Sequence, residues 1–182
     1  MIYKKTVKEL LGESVHELAK KSDLDKVTVK QIAENCRIST VTFYKYFRDK
    51  YDLIAWIYTY QMEEIFADFD DGMISWAQTL TALFSIVQED KSFYGNANKN
   101  VVGQNGFSES TAAKLYELFT GSVKKKYSAE VDGEMDFYIK FYLGGITACF
   151  FDWFGGGCVG DIGVIVERLC ELAPQFLVPY LF

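Results

Sequence analysis

The chain has 182 residues, of which 49% are hydrophobic and 16% aromatic, and its formal net charge is −6. That apolar content is ample for a buried core and excludes disorder as the main state. The four cysteines (Cys36, Cys149, Cys158, Cys170) form no CxxC pair and His16 is the only histidine, which argues against a zinc site or a Cys/His catalytic pair.

The N-terminal stretch MIYKKTVKELLGES has no apolar run suited to a signal peptide, so a cytoplasmic protein with reduced thiols is expected. From Tyr3 to Ala19, Val7, Leu10, Leu11, Val15 and Leu18 recur at helical spacing, with Lys4, Lys5 and Lys8 at the start. The stretch KKSDLDKV breaks that pattern. Thr28 then suits an N-cap, and Gln31 three residues on completes a capping box for the short helix VKQIAENC.

Arg37 and Ile38 make a turn, and Ser39 caps a second short helix, TVTFYKYF. With Asp49 as N-cap, a long helix follows over YDLIAWIYTYQMEEIFADF. A short helix, a tight turn and a second short helix inside a three-helix unit is helix-turn-helix organisation. Charge divides the same way. Residues 1–50 hold 11 Lys/Arg against 7 Asp/Glu, and the remainder holds 8 against 18, a basic module on an acidic body.

Further helices are expected over Met73–Glu89, Ser92–Ala97, Glu109–Tyr127, Glu134–Phe154 and Asp161–Pro179, with NANKNVVGQNGFS as a polar connection. The run FYLGGITACFFDWFGGGCVGDIGVIV approaches a membrane span in length. Asp152 within it, the GGG cluster and the lack of a basic flank favour a water-soluble buried helix. The fold class expected is all-α with about nine helices, divided into a domain of residues 1–50 and a helical body of residues 51–182. No nucleophile–base set, metal spacing or phosphate loop appears, so an enzyme and a cofactor are not expected.

On a wheel of about 100° per residue from Ser39, Phe43 and Phe47 share one face with Ile38, and Val41, Tyr44 and Lys45 point the other way. Phe43 and Phe47 should therefore pack beneath the helix. Thr40, Val41 and Thr42 can approach base edges in a major groove, with the valine methyls suited to a thymine methyl. Tyr44, Lys45 and Lys50 are placed for phosphates. The same wheel puts Tyr46 toward the core side.

The segment TVKQIAENCRISTVTFYKYFRDKYDLI, Thr28 to Ile54, resembles the DNA-binding signature of TetR-type bacterial transcriptional regulators. Its Thr-led helix with Ile-Ala, its Ile-Ser turn, its Thr-Phe-Tyr and its aromatic-Phe pair carry the resemblance. Arg37 departs from it, standing where the family commonly has Gly. The resemblance implies further contacts from Thr28 and Lys30, so that the DNA-binding set is Thr28, Lys30, Ser39, Thr40, Val41, Thr42, Tyr44, Lys45, Tyr46 and Lys50. WAQTLTALFSIVQEDKSFY and FYLGGITACFFDWFGGG look like the branch that includes regulators of dihydroxyacetone-kinase operons.

The family implies a homodimer on a pseudo-palindromic double-stranded operator, acting as a repressor under a small-molecule effector. The branch offers an alternative, a co-regulator or activator whose body docks a protein partner. Trp56, Tyr60, Trp76, Phe93, Tyr94, Tyr116 and Tyr138 are the expected pocket walls. Phe141, Tyr142, Gly145, Cys149, Trp153, Ile165, Leu169 and Leu172 are the expected dimer face, with aromatic and small residues at helical spacing on the two last long helices.

Overall fold

A computed structural model describes residues 5–99, 106–128 and 130–182. Lys4, the expected helix start at Tyr3 and residues 100–105 of the polar connection lie outside them. Among the described residues there are ten α-helices and one 3₁₀ turn, and no strand: α1 Val7–Ala19, the turn Leu24–Lys26, α2 Val29–Asn35, α3 Thr40–Tyr46, α4 Lys50–Asp70, α5 Trp76–Glu89, α6 Lys91–Lys99, α7 Phe107–Tyr127, α8 Gly133–Gly155, α9 Ile162–Glu171 and α10 Val178–Leu181.

Helix starts follow side-chain capping. Thr6 with Glu9, Thr28 with Gln31, and Ser75 with Gln78 form reciprocal capping boxes, while Asp132 and Asp161 cap α8 and α9. Each box satisfies two backbone donors that the first turn leaves without an intrahelical partner. The single helix expected over Asp161–Pro179 is two. It stops at Glu171 because Pro174 disfavours helical geometry at the residue before it, and the chain resumes a helix only at Val178. Gly72, at φ 72°, lets the chain leave α4 in a left-handed turn.

The chain forms two compact units: one from the described parts of Met1–Ile57 and Ser92–Phe107, the other from Tyr58–Lys91 and Ser108–Phe182. In the first, α1 packs on α2 and α2 on α3. Its core holds Leu11, Val15, Ile32, Ala33, Phe43, Leu53 and Ile54. The buried Ser14 hydroxyl donates to the Ile32 carbonyl at 2.7 Å, and Asn35 donates to Ser14 Oγ and to Glu17, tying α2 to α1. His16 stacks on Phe93 with ring centres 4.0 Å apart, a structural role.

In the second unit α5 packs on α8 and α9. Trp76 sits at its centre, wholly buried, with Phe66, Phe69, Phe119 and Tyr142 around its ring. The Trp76 indole donates to Tyr142 Oη at 3.1 Å, and Tyr142 Oη donates to the Leu169 carbonyl at 2.9 Å. This chain of bonds joins α5, α8 and α9. Burial pushes the Tyr142 phenol up to about 12. Among the described residues no helix is long and apolar enough to cross a membrane.

Candidate nucleic-acid interface

The geometry of α2, α3 and their turn is set by local hydrogen bonds. Ile38 N–H reaches back to the Ala33 carbonyl at 2.8 Å and Arg37 N–H to that of Glu34 at 3.0 Å. These two bonds form a Schellman motif, which requires a left-handed residue at the position Arg37 occupies. Arg37 adopts φ 58° there. An L side chain in that conformation costs on the order of 1 kcal/mol, which Gly would not. Ser39 Oγ then accepts from Thr42 N–H at 3.0 Å and starts α3.

Helix α3 has two distinct sides. Phe43 is 0% exposed and Phe47, its C-cap, is buried as well. Phe47 lies 5.8 Å from the Trp56 ring, centre to centre, and Lys8 Nζ sits over both rings. Val41 is 68% exposed, Tyr44 59% and Tyr46 46%, so Tyr46 falls on the open side. Ser39 and Lys45 are exposed too, while Thr40 and Thr42 are half-buried. Val41, Tyr44 and Tyr46 expose apolar and aromatic surface that intrachain packing has not taken up. On the preceding helix Thr28 and Lys30 are exposed, Lys30 pairing loosely with Glu34 at 3.8 Å. Lys5 pairs with Glu13.

Lys50 differs from its expected placement. Its ammonium donates to the carbonyls of Leu24 at 2.7 Å, Asp25 at 3.0 Å and Val27 at 2.8 Å. An ammonium has three protons, and all three have acceptors within the chain.

In the second unit Tyr58, Met62, Leu80, Leu83, Phe84, Thr111, Leu115, Ile146, Thr147 and Phe150 line a narrow cavity of about 20 Å³. That is room for a single water. Thr111 Oγ1 is buried without a hydrogen-bond partner in its wall. None of the expected pocket residues lines this cavity. Trp56, Phe93 and Tyr94 belong to the first unit. Trp76 is core, Tyr138 stacks on Phe176, and Tyr60 is half-buried. Tyr116 donates to Asp136 at 2.5 Å in an open polar groove between α7 and α8.

The expected dimer residues also divide. Phe141 (71% exposed), Gly145, Cys149 and Leu172 (73%) face outward. Tyr142, Trp153 and Leu169 turn inward to the chain's own core, and Ile165 is half-buried. Gly144, which with Gly145 allows close helix approach, also faces outward, and sequence reasoning missed Phe137 and Ala148, which share that side of α8 with Phe141. The signal was there in their i, i+4 and i+7 spacing.

An exposed helix held by a tight turn against a companion helix that buries Ile32 and Ala33 is the architecture of helix-turn-helix regulators. A model of bacterial regulatory proteins of the tetR family matches residues 15–57, and a model of a transcriptional regulator C-terminal region matches residues 75–175. The chain belongs to the TetR family of bacterial transcriptional regulators, which are not enzymes. Over 86 residues it is 25% identical to the HTH-type dhaKLM operon transcriptional activator DhaS of Lactococcus lactis subsp. lactis, a match spanning 47% of this chain and 46% of that protein. The chain thus spans about half the length of the curated relative it matches.

The solved structure of a dihydroxyacetone kinase operon activator DhaS superposes with a TM-score of 0.63 at 19% identity, over 91% of this chain and 93% of that one. The fatty acid degradation regulator FadR from Bacillus halodurans gives 0.53 at 15% identity, over 91% and 96%. FadR from Bacillus subtilis in complex with stearoyl-CoA gives 0.53 at 14% identity, over 92% and 97%. At these identities the structural likenesses establish the fold.

Proposed function

We propose that the chain binds a pseudo-palindromic DNA operator as a homodimer and regulates transcription from it, with residues 1–50 as the reading head and residues 51–182 as the controlling body. The observation that carries this reading is the two-sided α3: Phe43 wholly buried beneath, Val41 and Tyr44 more than half exposed above. Thr40, Val41 and Thr42 read base edges. Thr28, Lys30, Ser39, Tyr44, Lys45 and Tyr46 hold the backbone. One head alone binds weakly, and pairing two on a symmetric site multiplies their effect. The outward face of α8 supplies the contact, with Phe137 and Phe141 about two turns and one turn before the small residues Gly144, Gly145 and Ala148, and Leu172, the C-cap of α9, adds exposed apolar surface.

In the first reading of control, the protein is a repressor released by a small effector that enters the apolar cavity of the body. Thr111 Oγ1 is then the group that hydrogen-bonds the effector. A second reading, activation through a protein partner docked on the body, is favoured by the size of that cavity, about 20 Å³. The DhaS relatives are named activators. The second reading needs no opening of the core.

Lys45→Ala tests the head. It should weaken duplex binding and reduce the slope of log K against log salt by about 0.9, the loss of one phosphate contact. An unchanged slope removes Lys45 from the set.

A further inference from the structure

Lys50 is the first residue of α4, where a cation is disfavoured by the helix dipole. Its side chain does not reach outward. It turns back across the head to the 3₁₀ turn and collects the Leu24, Asp25 and Val27 carbonyls at 2.7–3.0 Å. Leu24 and Val27 are themselves buried, so the turn is pinned by two apolar side chains and by one cation. Val27 immediately precedes Thr28, the N-cap of α2. Next to Lys50, Tyr51 Oη donates to Asp25 Oδ1 at 3.3 Å, a second tie between the same two segments.

We propose that Lys50 is a positioning residue for DNA binding: it locks the 24–27 turn, and with it the start of α2, onto the start of α4, and makes no phosphate contact of its own. This rests on the DNA-binding reading above. A phosphate at Lys50 Nζ would have to displace three carbonyls. It would also meet the carboxylates of Asp23, Asp25 and Asp49, which all act electrostatically on this ammonium. Burial lowers the Lys50 pKa and those three carboxylates raise it in partial compensation, in keeping with a cation enclosed by the chain's own oxygens.

Two substitutions in the full chain separate positioning from contact. Lys50→Met keeps the unbranched stem and removes the charge. Lys50→Arg keeps the charge, but its planar fork does not converge on three carbonyls, whereas it binds phosphate well. Both should bind the duplex selected by the wild type about tenfold more weakly, as when the competent arrangement falls to about a tenth of the population. Both should keep the wild-type salt slope, and amides of residues 24–31 should exchange faster in each.

Wild-type affinity in Lys50→Arg together with a slope reduced by about 0.9 in Lys50→Met would overturn the proposal. Should the variants unfold, the wild type decides: the Lys50 ¹⁵Nζ resonance is expected to stay in place when duplex is added, and a shift contradicts the proposal. If the wild type binds no duplex, the DNA-binding reading falls. Unchanged amide exchange at residues 24–31 in Lys50→Met would then independently refute the staple.

Discussion

Replacing Tyr142 by Phe removes one oxygen and leaves two buried groups without partners. The Trp76 indole N–H loses its acceptor at 3.1 Å, and the Leu169 carbonyl loses its donor at 2.9 Å. Each orphaned group costs about 1–3 kcal/mol, so after some relaxation the substitution should destabilise the body by about 2–4 kcal/mol. For a chain of this length that corresponds to a fall in melting temperature of roughly 5–15 °C.

Alkaline titration adds a second signature. The phenol titrates near 12 in the folded chain against an ordinary value of 10.0. The folded state therefore holds this proton more tightly. The resulting stability is complete below pH 10 and is lost as the pH rises through 12, by up to about 3 kcal/mol. The stability gap between wild type and Tyr142→Phe should narrow over that window. The assay is thermal melting by circular dichroism from pH 7 to 11.5, with sedimentation velocity at pH 7. A Tyr142→Phe chain that melts like wild type but changes its association state would refute the intrachain assignment and return Tyr142 to the dimer face.

Phe43→Ala should cost the head about 3–5 kcal/mol, since the ring is wholly buried, and should reduce duplex binding with it. Lost binding with an unchanged melt would mean that Phe43 faces DNA. Arg37→Gly should stabilise the head by about 0.5–1 kcal/mol in urea unfolding, by removing a left-handed arginine at φ 58°. A loss of stability would show that the Arg37 side chain holds the turn. Phe141→Glu places a charge on the outward side of α8. It should leave the melt within about 0.5 kcal/mol while turning a dimer into a monomer by sedimentation. A dimer that persists removes α8 from the interface.

The head was legible in the sequence because its signals are local. Thr28 with Gln31, Ser39 and Asp49 mark helix starts within four residues of themselves, and Phe43 with Phe47 declare a buried face by spacing alone. The Lys50 staple was not legible, because its acceptors are backbone carbonyls 23–26 residues away, and carbonyls carry no sequence signal. The body was legible as helices but not as faces. Phe141 and Tyr142 are neighbours of similar type, and a rotation of about 100° puts one in solvent and the other against Trp76. The α9 boundary was overrun because the apolar period continues past Pro174 while the backbone does not.

Selection of the wild-type protein on random duplexes, followed by sequencing of the bound DNA, tests the central claim most directly. An enriched inverted repeat with two half-sites related by two-fold symmetry is expected. The same selection with Thr42→Ala should change preference at one position in each half. Bound pools no different from the input at moderate salt, or a single unsymmetric site, would contradict it.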